Sequence, residues 1–141
     1  MRYQTTVEIK AGPGLVWAVL IDLERWPHWT DSMRTVRLLD DGPVGIGSAV
    51  HIEQPKLRPA VWRVTELRPG RSFTWVSRMP GVTTEATHDV RPGGDGETTT
   101  ATLTLSQHGW LAGPVGALLA TMTRGYLQLE ADGLKRWCEL Q

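Results

Sequence analysis

The chain has 141 residues, with 15 Lys and Arg against 15 Asp and Glu, so its formal charge at neutral pH is zero. That length suits one domain, taken as residues 1–141, with enough chain to bury a core unaided. Balanced charge leaves no electrostatic footprint for nucleic acid or an anionic membrane, and no apolar run approaches the roughly 18 residues of a membrane span.

The first twelve residues, MRYQTTVEIKAG, alternate in polarity. Tyr3, Thr5, Val7 and Ile9 share one face, which predicts a strand over Tyr3 to Lys10. This segment has no apolar signal region, so no secretory signal is expected and a cytoplasmic location is. Ala11-Gly-Pro-Gly14 breaks the strand. Leu15, Val16, Val19, Leu20 and Leu23 then recur at helical spacing. Pro27 stops or kinks that segment and pushes Trp26 away from helical geometry. A second short helix or turn is expected over Trp26 to Ser32. Asp22 and Asp31 suit helix termination or capping.

Six strands follow, each closed by turn residues. They are predicted at Met33 to Leu39, Ser48 to Gln54, Val61 to Leu67, Ser72 to Met79, Val82 to Arg91 and Thr98 to Gln107. The short turns between them, such as Arg68-Pro-Gly70 and Pro80-Gly81, favour an antiparallel meander. From Gly113 to Glu139 the period becomes helical. Val115, Leu118, Leu119, Met122, Tyr126, Leu129 and Trp137 form the apolar stripe, with Glu130, Asp132, Lys135 and Arg136 on much of the other side. Gly125 and Gly133 weaken this helix locally or let something pack close. The single cysteine, Cys138, excludes an internal disulfide and has no visible activating partner. Segregated strands and helices of this kind define an α+β class.

The stretch VWAVLIDLERWPHWTDSM, the strands AVWRVTEL and RSFTWVSRMPG, and the helical segments HGWLAGPVGALL and YLQLEADGLKRWCE resemble the SRPBCC (START/Bet v 1-like) superfamily. The resemblance is nearest to its polyketide cyclase/dehydrase-like branch and covers essentially the whole chain. It implies a helix-grip fold: a curved antiparallel sheet of about seven strands wrapped around a long C-terminal helix, with two short helices after the first strand. It places Trp17 inward on the first helix and sets Trp26 and Trp29 near the mouth of a pocket. Members of this superfamily include binders, transporters and cyclases, so the resemblance does not fix an activity.

Period-two alternation then nominates the residues that line such a pocket. Val50, Ile52 and Gln54 share one face, as do Trp62, Val64 and Glu66. Phe73, Trp75, Ser77 and Met79 share another, and so do Val82, Thr84, Ala86, His88 and Val90. From the helix, Met122, Tyr126, Leu129 and Trp137 face the sheet. The candidate ligand-binding set is Gln54, Trp62, Trp75, Ser77, His88, Met122, Tyr126 and Trp29. His88 is either a pocket imidazole, with proton transfer as its one catalytic prospect, or a core histidine satisfied by a carbonyl. Tyr126 aims its hydroxyl at a ligand or at backbone. Glu130, one position off the stripe, reads as a solvated or salt-bridged carboxylate. Arg34, Arg37, Arg58, Arg63 and Arg78 read as surface charges.

None of the familiar nucleophile, phosphate-binding, dinucleotide or zinc-site motifs occurs. The histidines His28, His51, His88 and His108 lie at no metal-ligand spacing, so no metal or cofactor is expected. The leading reading is binding of a hydrophobic small molecule: a lipid, a polyketide or another aromatic metabolite. A cyclase, aromatase or dehydratase using the same cavity is the alternative, with His88, Gln54 and Tyr126 as polar handles. No catalytic arginine of the superfamily's aromatase/cyclases maps onto this chain. A protein-interaction or lipid-chaperone module stays open, and an exposed Trp26/Trp29 pair would favour it.

Overall fold

The N-terminal alternation forms strand β1 (Arg2–Ile9), which pairs not with its sequence neighbour but with the last strand of the chain. The computed structural model describes residues 1–141. After β1 come helix α1 (Pro13–Ile21) and a 3-10 helix (Leu23–His28). Strands β2 (Thr35–Leu38), β3 (Ala49–Glu53), β4 (Ala60–Arg68), β5 (Ser72–Met79), β6 (Val82–Pro92) and β7 (Thr99–His108) follow, then helix α2 (Ala112–Glu139). The sheet order is β1-β7-β6-β5-β4-β3-β2, and every neighbouring pair is antiparallel. Short connections make β2 to β7 a meander, and β1 closes the far edge. At 28 residues, α2 is about 42 Å long and runs across the concave face. The arrangement is the helix-grip fold.

The core lies where the 3-10 helix meets the sheet. Trp26 is fully buried, and its indole Nε1 donates to the Leu20 carbonyl at 2.9 Å. Its ring packs on Trp29, Trp75, Phe73 and His88, with centroids 4.9–6.4 Å away. Trp17 is half-buried and meets Phe73 edge-on at 6.3 Å. Aromatic edge-to-face packing of this kind adds directional attraction to a large burial of apolar area. The tryptophan cluster is therefore core, not an exposed partner surface.

Several expectations are corrected. The second short helix starts at Leu23 and ends at His28, not at Trp26 to Ser32. Pro27 is tolerated there because it falls in the last turn, and Trp29 N–H and Thr30 N–H both still reach the Trp26 carbonyl. Asp22 does end α1 and precede the 3-10 helix, but its side chain makes no capping hydrogen bond and pairs with exposed Arg25 at 3.4 Å. In β4 the register against β5 shifts between Val64 and Glu66, so Thr65 forms a bulge. One extra residue inverts the alternation beyond it. Glu66 is exposed rather than inward, and Leu67 sits opposite buried Phe73.

Helix α2 is rotated relative to the stripe read from its hydrophobic residues. Leu118 and Leu129 are exposed, whereas Leu127, Glu130, Ala131, Leu134 and Cys138 are buried. Gly133 explains part of that phase: a Cβ there would overlap the Trp29 carbonyl, so only glycine lets α2 approach so closely. At the other end, Gly109 has φ +119°, and a Cβ on it would overlap the Gly81 carbonyl. That carbonyl also accepts from Leu111 N–H at 2.9 Å, tying the β5–β6 turn to the start of α2.

Candidate functional site

Between the concave face of the sheet and α2 lies a cavity of about 440 Å³. That is the size of a site for one small organic molecule. Ile52, Trp62, Trp75, Ala86 and Leu103 form much of the sheet wall, and Val115, Leu119, Met122 and Leu127 the helix wall. Seventeen of the 29 lining residues are hydrophobic, so the cavity selects for apolar surface. Lys56, Leu57 and Arg58, in the loop between β3 and β4, sit at its edge and are exposed.

Of the eight residues nominated from sequence, Gln54, Trp62, Trp75, Ser77, His88, Met122 and Tyr126 line this cavity. Trp29 does not. It is buried beneath Gly133 of α2, and its indole Nε1 finds no hydrogen-bond partner. Trp29 therefore packs against α2 at Gly133 and not on the cavity wall.

The polar liners nominated from sequence each have a definable state. Gln54 Nε2 donates to the Ser32 carbonyl at 3.2 Å, which leaves Oε1 without a protein partner. Ser77, on the buried stretch of β5, makes no side-chain hydrogen bond within the protein. The Tyr126 hydroxyl donates to the Pro55 carbonyl in the β3–β4 loop, so its hydroxyl is spent on backbone and its ring faces the cavity. This contact also clasps α2 to the loop at the cavity edge.

His88 is 2% exposed. Its ring stacks on Phe73, with centroids 4.3 Å apart and planes 15° apart, and meets Trp26 and Trp75 edge-on. Nδ1 lies 3.4 Å from the Phe73 carbonyl. A carbonyl only accepts, so Nδ1 carries the proton in this contact and Nε2 is left as an acceptor. Burial lowers the His88 pKa to about 3, against a small opposing effect of that carbonyl. At neutral pH the imidazole is uncharged.

Glu130 is the residue that sequence reasoning missed. It is 8% exposed, lines the cavity from α2, and has no hydrogen bond or ion pair. Burial pushes its pKa up to about 8. The reading as a solvated or salt-bridged carboxylate is therefore overturned. A signal was present in the spacing: Met122, Tyr126 and Glu130 succeed one another at four-residue intervals, and Leu134 and Cys138 continue the same line.

Burial, with the neighbouring Glu139 carboxylate, raises the Cys138 thiol to about 11, so it is no nucleophile at neutral pH. No three His, Cys, Asp or Glu side chains come close enough to hold a metal ion. No helix is long and apolar enough to cross a membrane.

A helix-grip domain enclosing a predominantly apolar cavity defines a class of protein built around an internal pocket. Residues 1–139 match the model of the family described as polyketide cyclase / dehydrase and lipid transport, and the chain belongs to that family. Solved structures agree on the fold. The protein XoxI from Bacillus cereus superposes with a TM-score of 0.77 at 16% identity, covering 97% of this chain and 94% of that one. A START superfamily protein from Mycobacterium smegmatis superposes with a TM-score of 0.77 at 18% identity, covering 99% and 97%. The di-domain ARO/CYC BexL from the BE-7585A biosynthetic pathway gives a TM-score of 0.72 at 16% identity over 96% of this chain and 45% of that one. A search of curated proteins returned no match.

Proposed function

We propose that this protein binds an uncharged, largely apolar small molecule, of the size and shape of a lipid fragment, polyketide or aromatic metabolite, in the cavity between the sheet and α2. The observation that carries this reading is an apolar cavity of about 440 Å³ inside a domain whose core is otherwise tightly packed around Trp26. An apolar molecule filling a space of this size gains dispersion contacts on all sides. Trp62 and Trp75 offer adjacent aromatic walls, with centroids 5.8 Å apart. They suit a flat ring system.

A cyclase or aromatase reading is favoured by the fold shared with the ARO/CYC BexL and by the buried carboxyl of Glu130 on the cavity wall. A cavity can fold a reactive chain by shape with few catalytic groups. His88, held as the neutral imidazole and locked between aromatic rings, is not available as an imidazolium acid near neutral pH and serves this reading poorly. Binding is therefore the function that the cavity supports best.

The test is native mass spectrometry of gently purified protein, followed by organic extraction and identification of what is released. A stoichiometric apolar adduct that is absent from an Ala86→Leu variant supports the reading. An adduct that persists in that variant places the ligand elsewhere. Ala86 lines the cavity, so the larger isobutyl side chain of leucine occupies ligand space.

A further inference from the structure

Among the ionisable groups that line the cavity, one is buried with no partner in the fold. Glu130 lies on the cavity side of α2, more than nine-tenths buried, and neither carboxyl oxygen bonds to any protein atom. A structural carboxylate at such a depth is normally paired or capped, because an isolated buried charge is costly. Alanine or leucine at this position would extend the apolar line of Ala131, Leu134 and Cys138 without that cost.

The groups around Glu130 offer no counter-charge. Helix α1 carries no ionisable side chain. On β1, Arg2 and Glu8 lie on the exposed face. Strand β7 contributes no ionisable side chain to the cavity. The remaining titratable liners are Tyr126 of α2, whose hydroxyl donates to the Pro55 carbonyl, His88 from β6, which is uncharged, and Lys56 and Arg58, which are exposed at the edge. On α2 itself, Arg124, Asp132, Arg136 and Glu139 are exposed, and Lys135 pairs with Glu139 at 2.6 Å. Burial alone sets the ionisation of Glu130. A carboxyl in this setting keeps its proton at neutral pH and is both a donor and an acceptor.

We propose that Glu130 is the polar anchor of the cavity: a neutral carboxylic acid that donates its hydrogen bond to a carbonyl oxygen on an uncharged apolar ligand. This rests on the cavity being a ligand site. A carbonyl compound meets such a donor with no charge transferred or buried. A cationic amine would instead have to bury an ion pair, whose desolvation offsets most of the attraction. The neutral state of His88 points the same way, since it presents no charge to a ligand beside Glu130. Glu130 is thus a specificity-determining residue: it admits ketones and related acceptors ahead of plain hydrocarbons of equal size.

The experiment titrates the protein with prodan, a dimethylaminonaphthalene bearing a propionyl ketone, and with its analogue carrying a propyl group instead. Glu130→Leu is expected to weaken prodan binding about three- to tenfold, the equivalent of one lost neutral hydrogen bond, and to leave the propyl analogue unchanged. Glu130→Gln keeps a neutral donor and is expected to hold prodan. Prodan affinity of the native protein is expected to fall from about pH 6 to about pH 9 as the carboxyl loses its proton, while that of Glu130→Gln stays flat. Should Glu130→Leu fail to fold, the contrast between the native and Glu130→Gln pH profiles decides. Equal effects on both probes, a flat native profile, or tighter binding of a naphthylethylammonium ion than of prodan overturns the anchor role and leaves the cavity as a ligand site. Failure of the native protein to bind either naphthalene overturns both.

Discussion

Replacing Glu130 by glutamine removes the one buried group that must change protonation when the chain folds at neutral pH. In the unfolded chain the carboxyl titrates at its ordinary 4.5, and in the folded cavity at about 8. The folded state therefore holds a proton that the unfolded state has released, throughout the interval between those values. Stability contributed by this group is full below the lower value and is lost as pH rises through the upper one. Integrated from about pH 5 to about pH 8, the loss is roughly 3–4 kcal/mol. Other titrations, including that of His88, are common to both proteins and cancel in the difference between native and Glu130→Gln. The assay is urea unfolding of the two proteins at several pH values across that interval. Glu130→Gln is expected to gain on the native protein with each step upward in pH. Parallel stability profiles would refute the reasoning, because they would mean that the carboxylate ionises in the folded state at no cost.

The other predictions concern packing and acid stability. Gly133→Ala pushes a methyl group into the Trp29 carbonyl, a backbone atom that cannot swing aside, and is expected to cost about 2–3 kcal/mol in urea unfolding or more. Trp26→Phe leaves the Leu20 carbonyl without its indole donor and opens a gap among four aromatic rings, so a loss of about 2–4 kcal/mol is expected by the same assay. His88 titrates at about 3 in the folded state and 6.5 unfolded, so its stabilising effect is present above the unfolded value and fades as pH falls. Relative to His88→Phe, the native protein is expected to lose about 2 kcal/mol between about pH 7 and about pH 5, read from midpoints of denaturation.

Much of the architecture was legible because it rests on local rules. Turn residues such as Pro80-Gly81 mark strand ends, and alternation placed Trp75, Ser77 and His88 on the concave face. Alternation failed at Thr65, where the bulge depends on how β4 meets β5 rather than on either strand alone. The phase of α2 was misread for a different reason. Leu129 and Glu130 both stand near the stripe, and side-chain polarity favours burying the leucine. Tertiary packing instead fixes the rotation through Gly133 against Trp29. The same contact carried Trp29 away from the cavity, which no local pattern records. The ambiguity at Tyr126 resolved toward backbone because the β3–β4 loop comes within reach of α2. Loop position is the part of a fold that sequence periodicity describes least.

The central claim is that an apolar molecule enters the cavity, and the seven tryptophans report on it directly. Only Trp62 and Trp75 line the cavity, whereas Trp110 is 80% exposed and Trp137 lies outside the lining. The measurement is an NMR titration of the indole N–H resonances with prodan. Saturable shifts at Trp62 and Trp75, with Trp110 unmoved, are the expected result. Shifts confined to Trp110, or no shifts at any indole, would contradict the account.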